Sequence, residues 1–127
     1  MVGMVVVSHS AKVAEGAVEL AKQMAPEAPL VAAGGLPDGG IGTDYDTILN
    51  AIESVMSEDG VVMLVDLGSA IMTSEMAIDD CSDPDKVKII DAPIVEGTVY
   101  GAIQCSIGSP MEVVEMVLAE AKSVAKF

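Results

Sequence analysis

Apolar residues in this chain come in short unbroken runs, separated by longer segments with helical spacing. The runs are GMVVVS (3–8), PLVAAG (29–34), VVMLVD (61–66) and KVKIID (86–91). The first three do not alternate apolar with polar positions, as a strand with one wet face does, so the set reads as parallel strands covered on both faces. Between them, Val13, Ala17, Leu20, Ala21 and Met24 fall on one face of a first helix, with Ser10 placed as its N-cap. Ile48, Leu49, Ile52, Val55 and Met56 do the same for a second helix. Residues 69–80 form a third, less amphipathic helix, and residues 95–106 a fourth. The segment SPMEVVEMVLAEAKSVAKF (109–127) predicts a fifth. Ser109 is its expected N-cap, Pro110 its first position and Glu112 the closing member of a capping box. Val113, Val114, Val117, Leu118 and Ala121 form its stripe.

Strands alternating with helices in this order predict a doubly wound α/β fold. The expected architecture is one domain over residues 1–127. It has a mostly parallel four-stranded sheet with helices on both faces. No internal repeat, low-complexity tract or linker interrupts it. GGLPDGGIGT (34–43) is rich in glycine but too short to join two domains.

Composition narrows the chemistry. The 127 residues are 51 % hydrophobic but only 2 % aromatic, so the core is built from Val, Ile, Leu, Met and Ala. Twenty acids stand against six lysines and no arginine, a net charge of −14. Nucleic acid and anionic membrane surfaces are thereby excluded as partners, since both require basic surface. A partner with a basic face is the natural complement. No apolar stretch is long enough to span a membrane, and MVGMVVVSHS lacks the basic start and cleavage site of a secretory leader. Cys81 and Cys105 are far apart with no CxxC, which fits reduced thiols in a cytoplasmic protein better than a disulfide scaffold. With one histidine and two scattered cysteines, no zinc-ligand spacing exists.

Sites in open α/β sheets lie beyond the carboxyl ends of the strands. Three segments reach that edge: SHS (8–10), GGLPDGGIGT (34–43) and DLGS (66–69). Together they supply the only imidazole, His9, several glycines, small hydroxyls and one carboxylate, Asp66. His9 stands at the mouth of the first helix, where free N–H groups and the helix dipole favour an anion. A neutral ring keeps a lone pair on one nitrogen, which can attack phosphorus and carry the phosphoryl group. Asp66 is placed to hold the other ring nitrogen. Without arginine, anion binding falls to backbone amides and hydroxyls, from Ser8, Ser10, Gly39, Gly40, Gly42, Thr43, Gly68 and Ser69. The plainer readings are a structural histidine, turn glycines and a strand-end aspartate that caps a helix. Thr43 or Asp44, with Asp46, equally suits the cap of the second helix. The chain contains no GxxxxGK[ST], GxSxG or GxGxxG, and it lacks the acidic pair of a phospho-aspartate receiver. A general-base histidine in a lyase or isomerase remains an open alternative.

VVVSHSAKVAEGAVELAKQM, DGGIGTDYDTI, MLVDLGSAIMTSEMA and APIVEGTVYGAIQ together cover nearly the whole chain. They resemble the DhaM family, the phosphotransferase subunits of phosphoenolpyruvate-dependent dihydroxyacetone kinases. The first domain of that family is similar to the mannose-family IIA domains of the sugar phosphotransferase system. The resemblance implies a homodimeric, mannose-IIA-like phosphocarrier. Phosphate would arrive on His9 from the carrier HPr. It would leave for ADP held on a partner subunit, DhaL, in a system that also contains DhaK. Nucleotide would then belong to the partner, with no cofactor and no metal on this chain. Sugar-transport members have a THG-like motif and a Trp-Gly-Gly-Ser-Pro-like loop, where this chain has SHS and DLGSA and no tryptophan. A mannose-family IIA transport component is the alternative, and a non-catalytic interaction module a further one. Some DhaM proteins continue into HPr-like and enzyme-I-like domains. A chain ending at Phe127 implies separate donors.

Overall fold

A computed structural model describes residues 1–127. Four parallel strands form one sheet in the order β2-β1-β3-β4: β1 is Gly3–Ser8, β2 Leu30–Gly34, β3 Val61–Val65 and β4 Val87–Ile89. The helices are α1 (Ala11–Met24), α2 (Tyr45–Val55), α3 (Ala70–Asp80), α4 (Ile94–Ser106) and α5 (Met111–Glu120). The expected doubly wound fold is present. β4 is half as long as the run 86–91 predicts, because a 3₁₀ turn takes Pro84–Lys86 and the chain leaves the sheet after Ile89.

The unbroken apolar runs have a direct structural cause. Met4 and Val6 of β1 and Val62 and Leu64 of β3 pack under α1, α4 and α5. Val5, Val7, Val61 and Met63 face the other way, under α2 and α3. The two central strands, β1 and β3, are therefore buried on both faces, while the edge strand β4 exposes Lys88. Cys105 lies in the first cluster and Cys81 in the second, both buried and unbridged, with the sheet between them. Burial pushes the Cys105 thiol up to about 11, so it stays protonated at neutral pH. No helix is long and apolar enough to cross a membrane.

Two sequence expectations need correction. The face α1 turns to the sheet is Ala14, Ala17, Val18 and Ala21, while Val13, Leu20 and Met24 are exposed. Small side chains let this helix sit close to the strands, and the larger residues are left on its flank. At α5 the capping box does not form. Pro110 occupies the cap position, and Ser109 Oγ bonds Gln104 Oε1 on α4 at 2.7 Å instead.

The strand order places a reversal between β1 and β3. From β1 the chain crosses outward to β2, then returns to β3 on the other side of β1. The crevice at such a reversal is where doubly wound folds hold ligands. Leu64 is fully buried beside it. Leu64→Ala is expected to cost about 2–5 kcal/mol by opening a cavity, read as a lower urea midpoint with an unchanged m-value.

Candidate active site

The register of β1 on β3 pairs Val7 with Val65, which brings the next residues, Ser8 and Asp66, side by side at the crevice. Asp66 N donates to Val7 O at 3.1 Å and closes the ladder. The Asp66 carboxylate then collects four donors. Oδ2 accepts from Ser8 Oγ at 2.9 Å and from the His9 amide at 3.0 Å. Oδ1 accepts from the Leu67 amide at 2.8 Å and meets His9 Nδ1 at 3.0 Å. Burial opposes the charge on Asp66, but the His9 amide and ring, the Ser8 hydroxyl and the Leu67 amide outweigh it. They hold the carboxyl below its usual range. An ionised carboxylate only accepts, so Nδ1 is the protonated nitrogen and Nε2 carries the lone pair. Ser69 Oγ sits 2.9 Å from Nε2. The ring is 22 % exposed, so it is fixed on one edge and reachable on the other.

The remaining predicted residues fall into three groups. Ser8 is fully buried and its Oγ also accepts from the Ser10 amide, so it braces the turn from beneath. Ser10 Oγ accepts from Val13 N at 3.4 Å and caps α1. Asp44, rather than Thr43, caps α2 by accepting from the Thr47 amide and hydroxyl. Thr43 reaches across to Thr73 Oγ1 on α3 at 3.3 Å, tying the glycine loop to the helix that carries Ser69.

The glycine loop does not form the open nest that its sequence suggests. The amides of Gly39, Gly40 and Gly42 donate to Leu36 O, Asp38 Oδ1 and His9 O respectively. What they supply is shape: Gly39 has φ +89°, and Gly42 grips the backbone of His9. The amides of Gly68 and Ser69 have no partner in the protein, and Gly68 borders open space. These free donors lie at the mouth of α3, next to the Ser69 hydroxyl that meets Nε2, where the helix dipole favours an anion.

Two structural contributors were missed in the sequence. Thr73 lies one helical turn beyond Ser69, a spacing that places both on one side of α3. Gly34 ends β2, and a Cβ there would lie 2.6 Å from Ser10 O, so the turn holding His9 passes only over a glycine. Ile41, Leu67 and Met72 are exposed apolar residues on the loops and helix that build the site.

The family described as PTS system fructose IIA component matches residues 3–118. The chain belongs to this EIIA-man family. It is also DhaM-like. It is 40 % identical over 88 % of its length to the phosphoryl donor subunit DhaM of the PEP-dependent dihydroxyacetone kinase from Klebsiella michiganensis. It spans about a quarter of that protein's length, 25 %. DhaM of the first such kinase from Listeria innocua is 39 % identical, with 88 % of each chain covered. The DhaM subunit from Lactococcus lactis is 34 % identical with 89 % of each covered. A solved structure of a protein of unknown function, EF1359, superposes with TM-score 0.79 and 30 % identity over 99 % of this chain and 96 % of its own.

Asp66→Asn is expected to cost about 1–3 kcal/mol at neutral pH, because two of its four donors would then face an amide N–H₂. The folded carboxyl is lowered, so its contribution is complete above the ordinary aspartate value near about 4. It is lost as pH falls through the lower folded value. The stability gap between wild type and Asp66→Asn should therefore be flat above about pH 5 and shrink below about pH 4. Urea unfolding across that range checks it.

Proposed function

We propose that this chain is the phosphocarrier of a dihydroxyacetone kinase relay. In this reading it takes a phosphoryl group on His9 from phospho-HPr and passes it to ADP held on a DhaL subunit, with DhaK completing the system. The observation that carries the proposal is the pair of contacts on the imidazole: Asp66 on Nδ1 and a lone serine hydroxyl on Nε2. The similarity to DhaM subunits supplies the substrate class.

The chemistry follows from the ring. The Nε2 lone pair attacks phosphorus, a new N–P bond forms, and the donor's N–P bond breaks with its electron pair returning to the donor. The positive charge that develops on the ring is balanced by Asp66 through Nδ1–H. Ser69 Oγ leaves Nε2 and, with the Gly68 and Ser69 amides, donates to the phosphoryl oxygens. Ser8, Ser10, Thr43 and the loop glycines keep the turn in place. Transfer onward reverses these steps, with a terminal phosphate oxygen of ADP as the attacking atom.

Charge favours placing the nucleotide on a partner. The cavity of about 500 Å³ beside the site is lined by Asp66, Glu75 and Asp91 among apolar residues and has no cation in its lining. Such walls repel a diphosphate. The acidic surface suits a donor with a basic face. The reading further places the chain in the cytoplasm as a homodimer. A second reading, a IIA component of a sugar transporter, is favoured by the description of the matching family itself.

Incubation with enzyme I, HPr and phosphoenolpyruvate, read by intact mass, tests the proposal. Wild type should gain one acid-labile phosphoryl group and lose it on addition of DhaL·ADP, and His9→Ala should gain none. A phosphorylated His9→Ala would overturn the assignment of the acceptor. Gain without loss to DhaL would move the chain to the transport reading. The rate of transfer from HPr is expected to fall several-fold between about 20 mM and 500 mM salt, since screening removes steering. A flat profile in stopped-flow measurements would count against charge-guided docking.

A further inference from the structure

The β3–α3 turn brings Ser69 to the ring, but the helix behind that serine rests on a smooth surface. The residues α3 buries are Ala70, Ser74 and Ala77, and the Ser74 hydroxyl finds no hydrogen-bond partner there. Side chains this small interdigitate little with their neighbours, so packing alone fixes the height of the helix loosely. Ser69 stands at the N-cap position of α3 with helical backbone angles, and its hydroxyl caps nothing. That hydroxyl meets His9 Nε2 at 2.9 Å instead.

Directed bonds supply what the packing does not. Thr73 Oγ1 accepts from Thr43 Oγ1 at 3.3 Å, and the Asp80 carboxylate accepts from the Tyr45 hydroxyl. Thr73 and Asp80 are separated by about two helical turns. They lie on one side of α3 and tie it, near each end, to the short segment 43–45 that leads into α2. Thr43 follows Gly42, whose amide donates to the His9 carbonyl at 2.8 Å. A closed circuit results. It runs from the His9 backbone through Gly42 and Thr43 to Thr73, back one turn along α3 to Ser69, and from the Ser69 hydroxyl to the His9 ring. Asp66 is not a member of it. The carboxylate holds one nitrogen of the imidazole, and this circuit holds the group that meets the other.

We propose that Thr73 is a positioning residue of the phosphoryl site. Its hydroxyl, held by Thr43, sets the height of α3 and with it the separation of Ser69 from Nε2. The inference rests on the phosphocarrier reading, in which the Ser69 hydroxyl meets first Nε2 and then the phosphoryl oxygens. Ser69 must give way to the arriving group without losing its place. Its hydroxyl does so by turning about the Cα–Cβ bond. The backbone that carries it stays fixed, because Thr73 is tied to the loop that also grips His9. Nucleophile and cradle then face a docking partner as one body.

Nitrogen NMR of the full chain tests the proposal. His9 is the only histidine, so ¹⁵N-histidine labelling gives a single pair of ring resonances. Ser69→Ala, in unphosphorylated protein at mildly alkaline pH, marks the change in Nε2 that loss of its hydroxyl partner causes. Thr73→Val keeps the branched shape and removes the hydroxyl, and it is expected to move Nε2 in the same direction. Thr73→Ser should leave the resonance at its wild-type position. Acceptance of phosphate from phospho-HPr should slow about 10-fold in Thr73→Val and recover in Thr73→Ser. In the Ser69→Ala background Thr73→Val should cost nothing further, because it acts through that serine. Thr43→Val removes the other half of the same bond and carries the test if Thr73→Val fails to fold. An Nε2 resonance that ignores Thr73→Val, or rate losses that multiply in the double variant, would overturn the proposal. A wild type that accepts no phosphate fails the carrier reading alone, since the Nε2 resonance is read before any phosphate arrives.

Discussion

Everything at the working edge depends on one carboxylate accepting four hydrogen bonds. Asp66 ends β3, yet three of its four donors belong to Ser8 and His9 at the end of β1. The two strands are neighbours in the sheet and 57 or 58 residues apart in sequence at these contacts. The same group therefore closes the β1–β3 seam, fixes the imidazole tautomer and orients its free nitrogen. Removing a charge so placed leaves several donors unmatched at once, which is why stability and reactivity are coupled through it.

The lack of arginine shapes the rest of the site. Phosphate recognition elsewhere leans on guanidinium forks, but here the available donors are the Gly68 and Ser69 amides, the Ser69 hydroxyl and the dipole of α3. In the proposed relay, such a cradle would hold a phosphoryl group without the strong charge pairing that slows departure. For a group that must leave as readily as it arrives, weak neutral donors suit the task better than a fixed cation. In the same relay the acidic exterior would act in the same direction, attracting a basic donor while discouraging free anions from occupying the edge.

Much of this was legible in the residue pattern. Doubly apolar runs require cover on both faces, and that requirement alone leads to the doubly wound sheet and to one edge holding SHS, the glycine loop and DLGS. The meeting of His9 with Asp66 follows from strand order, which an imidazole and an aspartate at two strand ends make a natural expectation. Hydrogen-bond direction was harder to read. A glycine-rich loop advertises free amides, but Leu36 O, Asp38 and His9 O had already taken those of Gly39, Gly40 and Gly42. Only the folded backbone shows which amides remain. The cap of α5 failed for a related reason: Ser109 had a competing partner, Gln104, on the preceding helix.

The misread face of α1 is the most informative difference. A periodic pattern gives the direction in which large apolar residues point, and equating that direction with the core assumes a single burial event. In α1 the small residues Ala14, Ala17 and Ala21 take the sheet together with Val18, and Val13, Leu20 and Met24 are left exposed. A helix whose bulk lies about 100° from its buried face carries more apolar surface than one domain consumes. In a chain with this much negative charge, that surplus lies where carboxylates are fewest. Sequence thus divides the surface into two parts, an acid-rich remainder and an exposed apolar flank of α1.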